Sequence, residues 1–502
     1  MKSNNYKNQI LWLIALSTII RAILAYFIDL GSDEAYCWTF SLYPKLSQIE
    51  STPMVGWLIQ LFTCNLALNN EFFVRLTSVV VGSVNTWLIF VLGRRMKNEL
   101  TGFYASVLYT ASLYCFISTG TFISPGTPQI MFILLSIYFL HEGFIIKYDS
   151  GMESRTLANI SLAMSGLFIG LATLSHFSSI LLWAGVLLYI IIFNKKAFGR
   201  PTLYIAFVIT LIMTTPVILW HMTQRYLGLE TLYNHIIATP DPLKEFLINN
   251  PINIIIIIIS LIAFKKRRFL KPEQYQLFVC IVLPLMLTGN ISNSLLPLFL
   301  IAASYLEMKH MNSTFSYHLP KSLKYSLAFG AIAISLSIAH LYFGIFNFEI
   351  KRPPDTKIGY YDISLDRYGL KELASEFKKQ RTLDIAMNKI SSHACIVSDN
   401  YLAAAQAEYY LAYPDNMQVK AIGNPSEIRR YALKMSSGKF LLGESAYYIE
   451  SSRSGRSGME LGRDYYKDVE VAKTIYIHRS GKPVVRYTIY RFKELMVIPS
   501  IE

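Results

Sequence analysis

The chain has 502 residues, of which 53% are hydrophobic and 16% charged, and its formal net charge is +14. A soluble protein of this length carries about 25% charged residues, so a wholly soluble enzyme is excluded. The positive charge does not indicate nucleic-acid binding, because most of the excess lies in short loops between apolar segments. The five cysteines form no Cys-x-x-Cys motif, and neither a disulfide framework nor a zinc site is predicted.

Apolar segments dominate residues 1–345 and predict a polytopic α-helical membrane domain of about eleven spanning helices, because one crossing needs roughly 20 apolar residues. The first segment is predicted to stay uncleaved, since no small-residue cleavage signal follows it. The eleven predicted segments are 10–29, 72–93, 101–119, 127–146, 157–175, 177–193, 202–220, 252–264, 275–289, 293–308 and 323–345.

Lysine and arginine are concentrated in every second loop, and this alternation predicts the orientation of the chain in the plasma (inner) membrane. The sparsely charged loops 30–71, 119–127 and 221–251 are predicted to lie outside the cytoplasm, together with residues 346–502. The N-terminus is then cytoplasmic. The charge-rich loops contain Lys2 and Lys7; Arg94, Arg95 and Lys97; Lys147 and Arg155; Lys195, Lys196 and Arg200; Lys265 to Arg268 and Lys271; and Lys309, Lys321 and Lys324.

Residues 346–502 have the composition of a soluble domain and are predicted to form a small extracytoplasmic α/β domain. "IYIHRSG" and "VVRYTIYRF" alternate well enough for a hairpin with Gly481 and Pro483 near its turn. "LKELASEFKKQ" predicts an amphipathic helix, and "CIVSDNY" predicts a buried strand that ends in a polar loop.

The first outer loop, 30–71, carries the strongest candidate for chemistry. Asp33 and Glu34 directly follow the first predicted helix, and adjacent carboxylates at a membrane boundary cost free energy unless they have a use. Composition alone favours two solvated loop acids. Aromatic residues follow, and then "STPMVGWLIQLF", which predicts an amphipathic helix at the membrane interface. A carboxylate held there could meet a lipid head group and an outer acceptor.

The blocks "SDEAYCWTFS", "STPMVGWLIQLFT", "NEFFVRLTSVVVGSVNTWLIFVLGRRM", "SPGTPQIMFILLSIYFL" and "GLFIGLATLSHFSSILLWAGVLLYII" occur in this order, followed by "PVILWHMTQRY" and "GNISNSLLPLFLIAA". Over roughly residues 10–310, the chain resembles the dolichyl-phosphate-mannose–protein mannosyltransferase superfamily, whose bacterial members include the lipid A aminoarabinose transferase. This resemblance implies the GT-C fold, an active site facing outside, and a polyprenyl-phosphate sugar as donor.

The implied reaction is an inverting sugar transfer, in which an acceptor hydroxyl attacks the anomeric carbon and the lipid phosphate leaves. Such a reaction needs a carboxylate base and cations for the phosphate. The resemblance places Asp33 at the catalytic acid position with Glu34 as its partner. The predicted substrate-binding residues are Arg75, Arg225, Lys45, Glu50, His176 and His221. The alternatives are a snorkelling interfacial arginine for Arg75, solvated loop charges for Arg225 and Lys45, and a structural histidine for His176. No cofactor is predicted, and a divalent metal is left open.

The chain departs from the family pattern at three places. Glu50, Ser51, Thr52 and Pro53 stand where the family has Asp-His-Pro-Pro. Gly126 replaces the acid of the second outer loop, and His176 replaces a lysine. These changes put a shared metal or acceptor site in doubt and indicate an unusual sugar, an unusual acceptor or a weakened enzyme.

Lipid A is the favoured acceptor, because the block pattern is closer to the bacterial transferases. Protein or glycan hydroxyls are the alternative acceptors within the same fold. Two other functions stay open: a catalytically weakened member that acts in binding or assembly, and a lipid-linked sugar transporter. A transporter predicts inverted repeats and charges inside its spans, whereas these charges lie at predicted helix ends and no repeat is visible. The predicted partners are thus a lipid-linked donor, an outer acceptor and membrane lipids.

The loop charges make a direct prediction of topology. A reporter fused after Glu502 that is active only in the cytoplasm should be silent, because residues 346–502 are expected outside. The same reporter fused in the charge-rich loop at Lys196 is the matched control and should be active. An active reporter after Glu502 would mean that the number of crossings is wrong by one.

Overall fold

A computed structural model describes residues 3–48, 52–145, 152–223, 246–287, 291–311, 319–346, 357–435, 440–453 and 457–499. The chain divides into two units. The first unit is Met1–Tyr26 with Pro44–Ile334, and the second is Phe27–Tyr43 with Ser335–Glu502. The second unit therefore combines the start of the first outer loop with the C-terminal part of the chain.

The N-terminal two thirds of the described chain is helical. In chain order the helices are α1 (Ser3–Phe27), α2 (Ser32–Leu42), α3 (Met54–Phe62), α4 (Glu71–Met96), α5 (Glu99–Ala111), α6 (Gly126–Ile145), α7 (Met152–Thr173), α8 (Leu181–Phe193), α9 (Pro201–Thr223), α10 (Pro251–Phe264), α11 (Pro272–Leu285), α12 (Leu295–Met311) and α13 (Lys321–Phe343).

Each of the eleven predicted apolar segments coincides with a helical segment of the structure. Among the described residues, six helices are long and apolar enough to cross a membrane: α1, α4, α6, α7, α9 and α13. The segments Phe177–Phe193 and Pro251–Phe264 are apolar but shorter. The chain is a helical membrane protein, and the total of eleven crossings stays a prediction.

The first unit packs its helices closely, and some of its buried polar groups form hydrogen bonds between helices. Helix α6 packs on α7, α7 on α9, and α4 on α5. Asn253 Nδ2 donates to the Leu108 carbonyl at 2.9 Å, and Asn250 Nδ2 donates to the Ala111 carbonyl at 3.0 Å. These amides supply hydrogen bonds between helices, which a hydrocarbon environment cannot provide.

The second unit contains a five-stranded mixed sheet with the order β2-β1-β3-β5-β4. Strand β1 pairs parallel with both β2 and β3, whereas β5 pairs antiparallel with β3 and β4. The elements are, in chain order, α14 (Leu370–Ala386), β1 (Cys395–Ser398), α15 (Tyr401–Ala407), β2 (Val419–Ala421), α16 (Pro425–Ile428), α17 (Arg430–Met435), β3 (Ala446–Ser451), α18 (Gly458–Tyr465), β4 (Tyr466–Arg479) and β5 (Lys482–Leu495).

The predicted elements of this domain are confirmed. The hairpin of β4 and β5 turns at Ser480 and Gly481, which have φ values of 50° and 77°. Positive φ at both central residues matches the right-handed twist of the flanking strands. The amphipathic helix is α14, and the buried strand is β1, whose four residues are all buried.

Close contact between α7 and α9 predicts a position that tolerates no side chain. A methyl group on Gly166 would lie 2.1 Å from the Ala206 carbonyl oxygen, so Gly166→Ala must push the helices apart. We expect a loss of about 1–3 kcal/mol or more, measured as a lower melting temperature of the detergent-solubilised chain. Gly199→Ala is the control, because a methyl group there meets nothing within 4 Å. Equal melting temperatures for both variants would refute the close packing.

Candidate functional site

Helix α2 presents the adjacent carboxylates predicted from the first outer loop. Gly31, in extended conformation, precedes the helix, and its N–H donates to the Glu34 carboxylate at 3.2 Å. Asp33 and Glu34 both lie in the first turn, where the positive end of the helix dipole stabilises negative charge. The local sequence therefore starts a helix and places its acids at that start.

Aromatic packing holds α2 within the second unit. Trp38 is fully buried, and its ring meets Tyr409 and Tyr413 edge-on, with centroids 5.0 and 5.2 Å away. Beside it, Arg430 donates to the Thr39 hydroxyl at 2.7 Å. The position of α2 is thus set by residues almost 400 positions later in the chain.

The two carboxylates have different surroundings. Asp33 is exposed, whereas Glu34 is 1% exposed and accepts a hydrogen bond from Arg367 Nε at 3.3 Å. A solvent-facing carboxylate can meet a substrate hydroxyl. The buried one, tied to a guanidinium and to the backbone of Gly31, is suited to fixing the turn that carries Asp33.

Arg75, the predicted phosphate-binding residue of α4, is completely buried in the first unit. Its Nη1 donates to the Ala25 carbonyl at 3.2 Å, and its guanidinium lies 5.0 Å from the ring centre of Phe122. A snorkelling arginine would extend its guanidinium to an exposed position, whereas that of Arg75 is buried.

A second buried arginine was not singled out from the sequence. Arg21 of α1 is completely buried, with its guanidinium 4.7 Å from the ring centre of Phe116. Within the described part of the chain, its three guanidinium nitrogens have no hydrogen-bond acceptor. An arginine inside a 25-residue apolar helix is itself a recognisable signal, because ionisable residues at that depth are costly.

The two predicted histidines lie near one another in the first unit. His176 precedes the short turn Phe177–Ile180, and its Nδ1 accepts from the Ser178 hydroxyl at 2.8 Å and the Ser178 N–H at 3.3 Å. His221 is buried, lies 3.0 Å from the Ser47 hydroxyl and meets the Phe177 ring edge-on. Local bonds thus occupy Nδ1 of His176, which favours a structural role for that ring.

Three further residues complete the predicted set: Lys45, Arg225 and Glu50. Lys45 is exposed, two residues before Ser47. Arg225 and Glu50 lie outside the described residues. Over the ranges that the structure describes, no group of three His, Cys, Asp or Glu side chains could hold a metal ion.

Gly126, which replaces the family's second-loop acid, is buried at the start of α6. A methyl group there would lie 3.0 Å from the Thr119 methyl carbon and 3.1 Å from the Tyr114 hydroxyl. A side chain at this position would require Thr119 and Tyr114 to shift by a few tenths of an ångström. The missing acid is therefore accompanied by packing that fills its place.

Comparison with known proteins shows a family match over part of the sequence. Residues 50–220 match the family model described as dolichyl-phosphate-mannose-protein mannosyltransferase, which confirms the resemblance over that segment. No protein with a curated description matches the sequence.

Solved structures share the fold over almost the whole chain. ArnT from Cupriavidus metallidurans bound to undecaprenyl phosphate is 12% identical, with a TM-score of 0.61 over 97% of this chain and 98% of that one. Its apo state gives a TM-score of 0.62 at 11% identity, covering 96% and 98%. The Archaeoglobus fulgidus oligosaccharyltransferase tethered to an acceptor peptide gives 0.51 at 11% identity, covering 90% and 69%. The chain has the GT-C fold.

The burial of Glu34 predicts an asymmetric response to loss of its cation. Arg367→Ala leaves a buried carboxylate without this donor and should cost about 1–3 kcal/mol in the free energy of unfolding. Glu34→Gln in the same chain should recover part of that loss, because the buried charge is gone. Lys467→Ala is the matched control: it removes the cation of the exposed Lys467–Glu494 pair and should have little effect. Equal losses in the two single variants, measured by denaturant unfolding, would contradict the role of Arg367.

Proposed function

From the match of residues 50–220 to the mannosyltransferase family and from the GT-C fold, we propose that this protein transfers a sugar from a polyprenyl-phosphate donor to an acceptor outside the cytoplasm. Lipid A is the favoured acceptor, and a protein or glycan hydroxyl is the alternative. The donor is lipid-linked because nucleotide sugars are absent from that compartment, and a membrane-embedded enzyme suits a membrane-bound donor.

The proposal rests on the different surroundings of the two carboxylates of α2. Asp33 is exposed in the first turn, while Glu34 is buried and bonded to Gly31 and Arg367. In the proposed reaction Asp33 takes the proton of the acceptor hydroxyl as the oxygen attacks the anomeric carbon. The bond from that carbon to the phosphate oxygen breaks, and the sugar is transferred with inversion. Glu34 orients the turn.

Buried guanidinium groups supply the charge that the leaving phosphate needs. Arg75 is the first candidate, and Arg21 adds a second cation in the same unit, each lying against a phenylalanine of the segment between α5 and α6. Guanidinium binds phosphate through two parallel hydrogen bonds, which a lysine cannot reproduce. Arg225, Lys45, His221 and Glu50 remain proposed substrate contacts, and His176 is the weakest of the set.

The direct test compares cells with and without the gene by mass spectrometry of lipid A and of surface glycoproteins. A sugar lost from lipid A supports the favoured acceptor, and one lost from proteins or glycans supports the alternative. No change in any of these, with the protein present and folded, would support the weakened member that acts in assembly. That second candidate is favoured by the filled position at Gly126.

Neutralising Asp33 should stop transfer without unfolding the protein. Because Asp33 is exposed, Asp33→Asn should still fold, with at most a small loss of melting temperature from its weaker interaction with the helix start, while the transfer rate falls by ~100-fold or more. The measurement is in vitro transfer from a polyprenyl-phosphate sugar in purified membranes. The exposed Asp468→Asn of the C-terminal hairpin is a control that should leave transfer unchanged. Near-normal turnover of Asp33→Asn would remove Asp33 from the mechanism.

Replacement of Arg75 separates phosphate binding from a structural charge. Arg75→Ala should impair use of the donor, and Arg75→Lys should rescue it only partly, because an ammonium offers a point charge and not a planar fork. The readout is the KM for the donor beside the melting temperature of each variant. The same pair at Arg225 extends the test. Full activity in both Ala variants would mean that the phosphate binds elsewhere.

A further inference from the structure

The sheet of the second unit has a strand order that creates a binding cleft. From β1 the chain goes to β2 on one side, while β3 lies on the other side of β1, and all three strands are parallel. The strand order therefore reverses between β1 and β3. In open α/β sheets, ligands bind outside the carboxyl ends of the strands at such a reversal.

The structure has a cleft at this place, with a volume of about 600 Å³. This volume lies within the range of sites for small molecules. Asp399 and Asn400, which directly follow β1, line the cleft, and so do Ser451 and Arg453 at the end of β3. The cleft thus lies at the carboxyl ends of β1 and β3, where the strand order reverses.

The described lining combines aromatic rings, amides, hydroxyls and an excess of carboxylates. Its carboxylates, Asp366, Asp399 and Glu427, outnumber the one lining guanidinium, that of Arg453, and they still exceed the nearby cations when Arg367, 3.7 Å from Asp366, is counted. Excess negative charge disfavours a phosphate group and favours hydroxyl or ammonium groups. The charge therefore argues against the phosphate of a lipid as the occupant of this cleft.

Aliphatic side chains, among them Leu370 and Leu402, supply most of the apolar lining, together with buried tyrosines. Tyr448 lines the cleft and donates its hydroxyl to Asp399 Oδ1 at 3.1 Å, which fixes that carboxylate. Tyr487 is also part of the lining, and burial raises the pKa of its phenol to about 12, so it stays neutral and able to donate. Apolar side chains beside carboxylates and amides suit a ligand with apolar C–H faces and a hydroxyl rim, which is the surface of a saccharide.

The cleft adjoins the helix that carries the proposed base. Ser32 is part of its lining, and the Ser32 N–H donates to Asp366 Oδ2 at 2.9 Å. Asp33 is the next residue of the same helical turn. A ligand in the cleft therefore lies beside the start of α2.

We propose that this cleft binds an unphosphorylated saccharide portion of the acceptor, neutral or amine-bearing, and directs it toward Asp33. Saccharide binding is inferred from the lining of the cleft alone. The identification of this saccharide as part of the acceptor rests on the proposed function. The occupant is thus a sugar unit, which favours a glycan-bearing acceptor over a bare protein hydroxyl.

Binding is measured on the full chain in phosphatidylcholine nanodiscs, which contain no sugar, by saturation-transfer NMR titration. The probes are glucosamine, N-acetylglucosamine and glucosamine 6-phosphate. The first two should bind, and the phosphate ester should bind about tenfold more weakly. Equal or tighter binding of the phosphate ester would overturn the proposal.

Two variants locate the site. Ala403 is an exposed lining residue of α15, so Ala403→Trp fills the cleft and should weaken binding of both sugars by about tenfold or more. Ala386→Trp makes the same change at an exposed position outside the cleft and should bind as the wild type does. Asp399→Asn should weaken glucosamine more than N-acetylglucosamine, because only glucosamine carries an ammonium group. Unchanged binding by Ala403→Trp would overturn the proposal.

Transfer assays separate this proposal from the proposed function. If both hold, Ala403→Trp raises the KM for the acceptor and leaves the KM for the donor unchanged. Saccharide binding in the cleft without any transfer by the wild type would retain the site and remove its acceptor role. Transfer with an unaltered acceptor KM in Ala403→Trp would retain the enzyme and overturn the cleft as its acceptor subsite.

Discussion

The candidate site depends on the packing of α2 into the C-terminal unit. Trp38 is buried and meets the rings of Tyr409 and Tyr413 edge-on, and the Thr39 hydroxyl accepts a hydrogen bond from Arg430. A buried tryptophan of this kind contributes on the order of 3–5 kcal/mol relative to alanine. This contact region makes Phe27–Tyr43 part of the second unit and gives its acids fixed positions.

Because α2 is held in place, its two neighbouring acids have different exposure and different hydrogen-bond partners. Successive residues of a helix point about 100° apart, so one carboxylate of an adjacent pair faces the protein when the other faces solvent. Here Glu34 takes the inner place beside Arg367, and Asp33 takes the outer place. A buried carboxylate is tolerable only because the guanidinium and the Gly31 N–H compensate its lost hydration. The same compensation holds the turn that carries the exposed acid.

The first unit follows a different constraint. In an apolar environment polar groups must find partners within the protein, and its asparagines bond to carbonyls of neighbouring helices. Arg75 and Arg21 each place a buried guanidinium against an aromatic ring, and Arg75 also donates to the Ala25 carbonyl. Ring contacts compensate a buried cation only in part. Such groups are expected where an anion must be held, which is why they enter the proposed mechanism.

Local patterns in the sequence determined the apolar segments, the hairpin, α14 and the buried strand, because hydrophobic periodicity and turn residues act within about 20 positions. They also pointed to Asp33 and Glu34 as a pair. Only the tertiary structure decided that Glu34 and Arg75 are buried, that Gly126 is closely packed, and that a cleft lies at the ends of β1 and β3. Each of these depends on residues brought together from distant parts of the chain, such as Glu34 with Arg367. A sequence pattern within one segment cannot show which side chains are buried or paired, because the residues that bury or pair them lie far away in the chain.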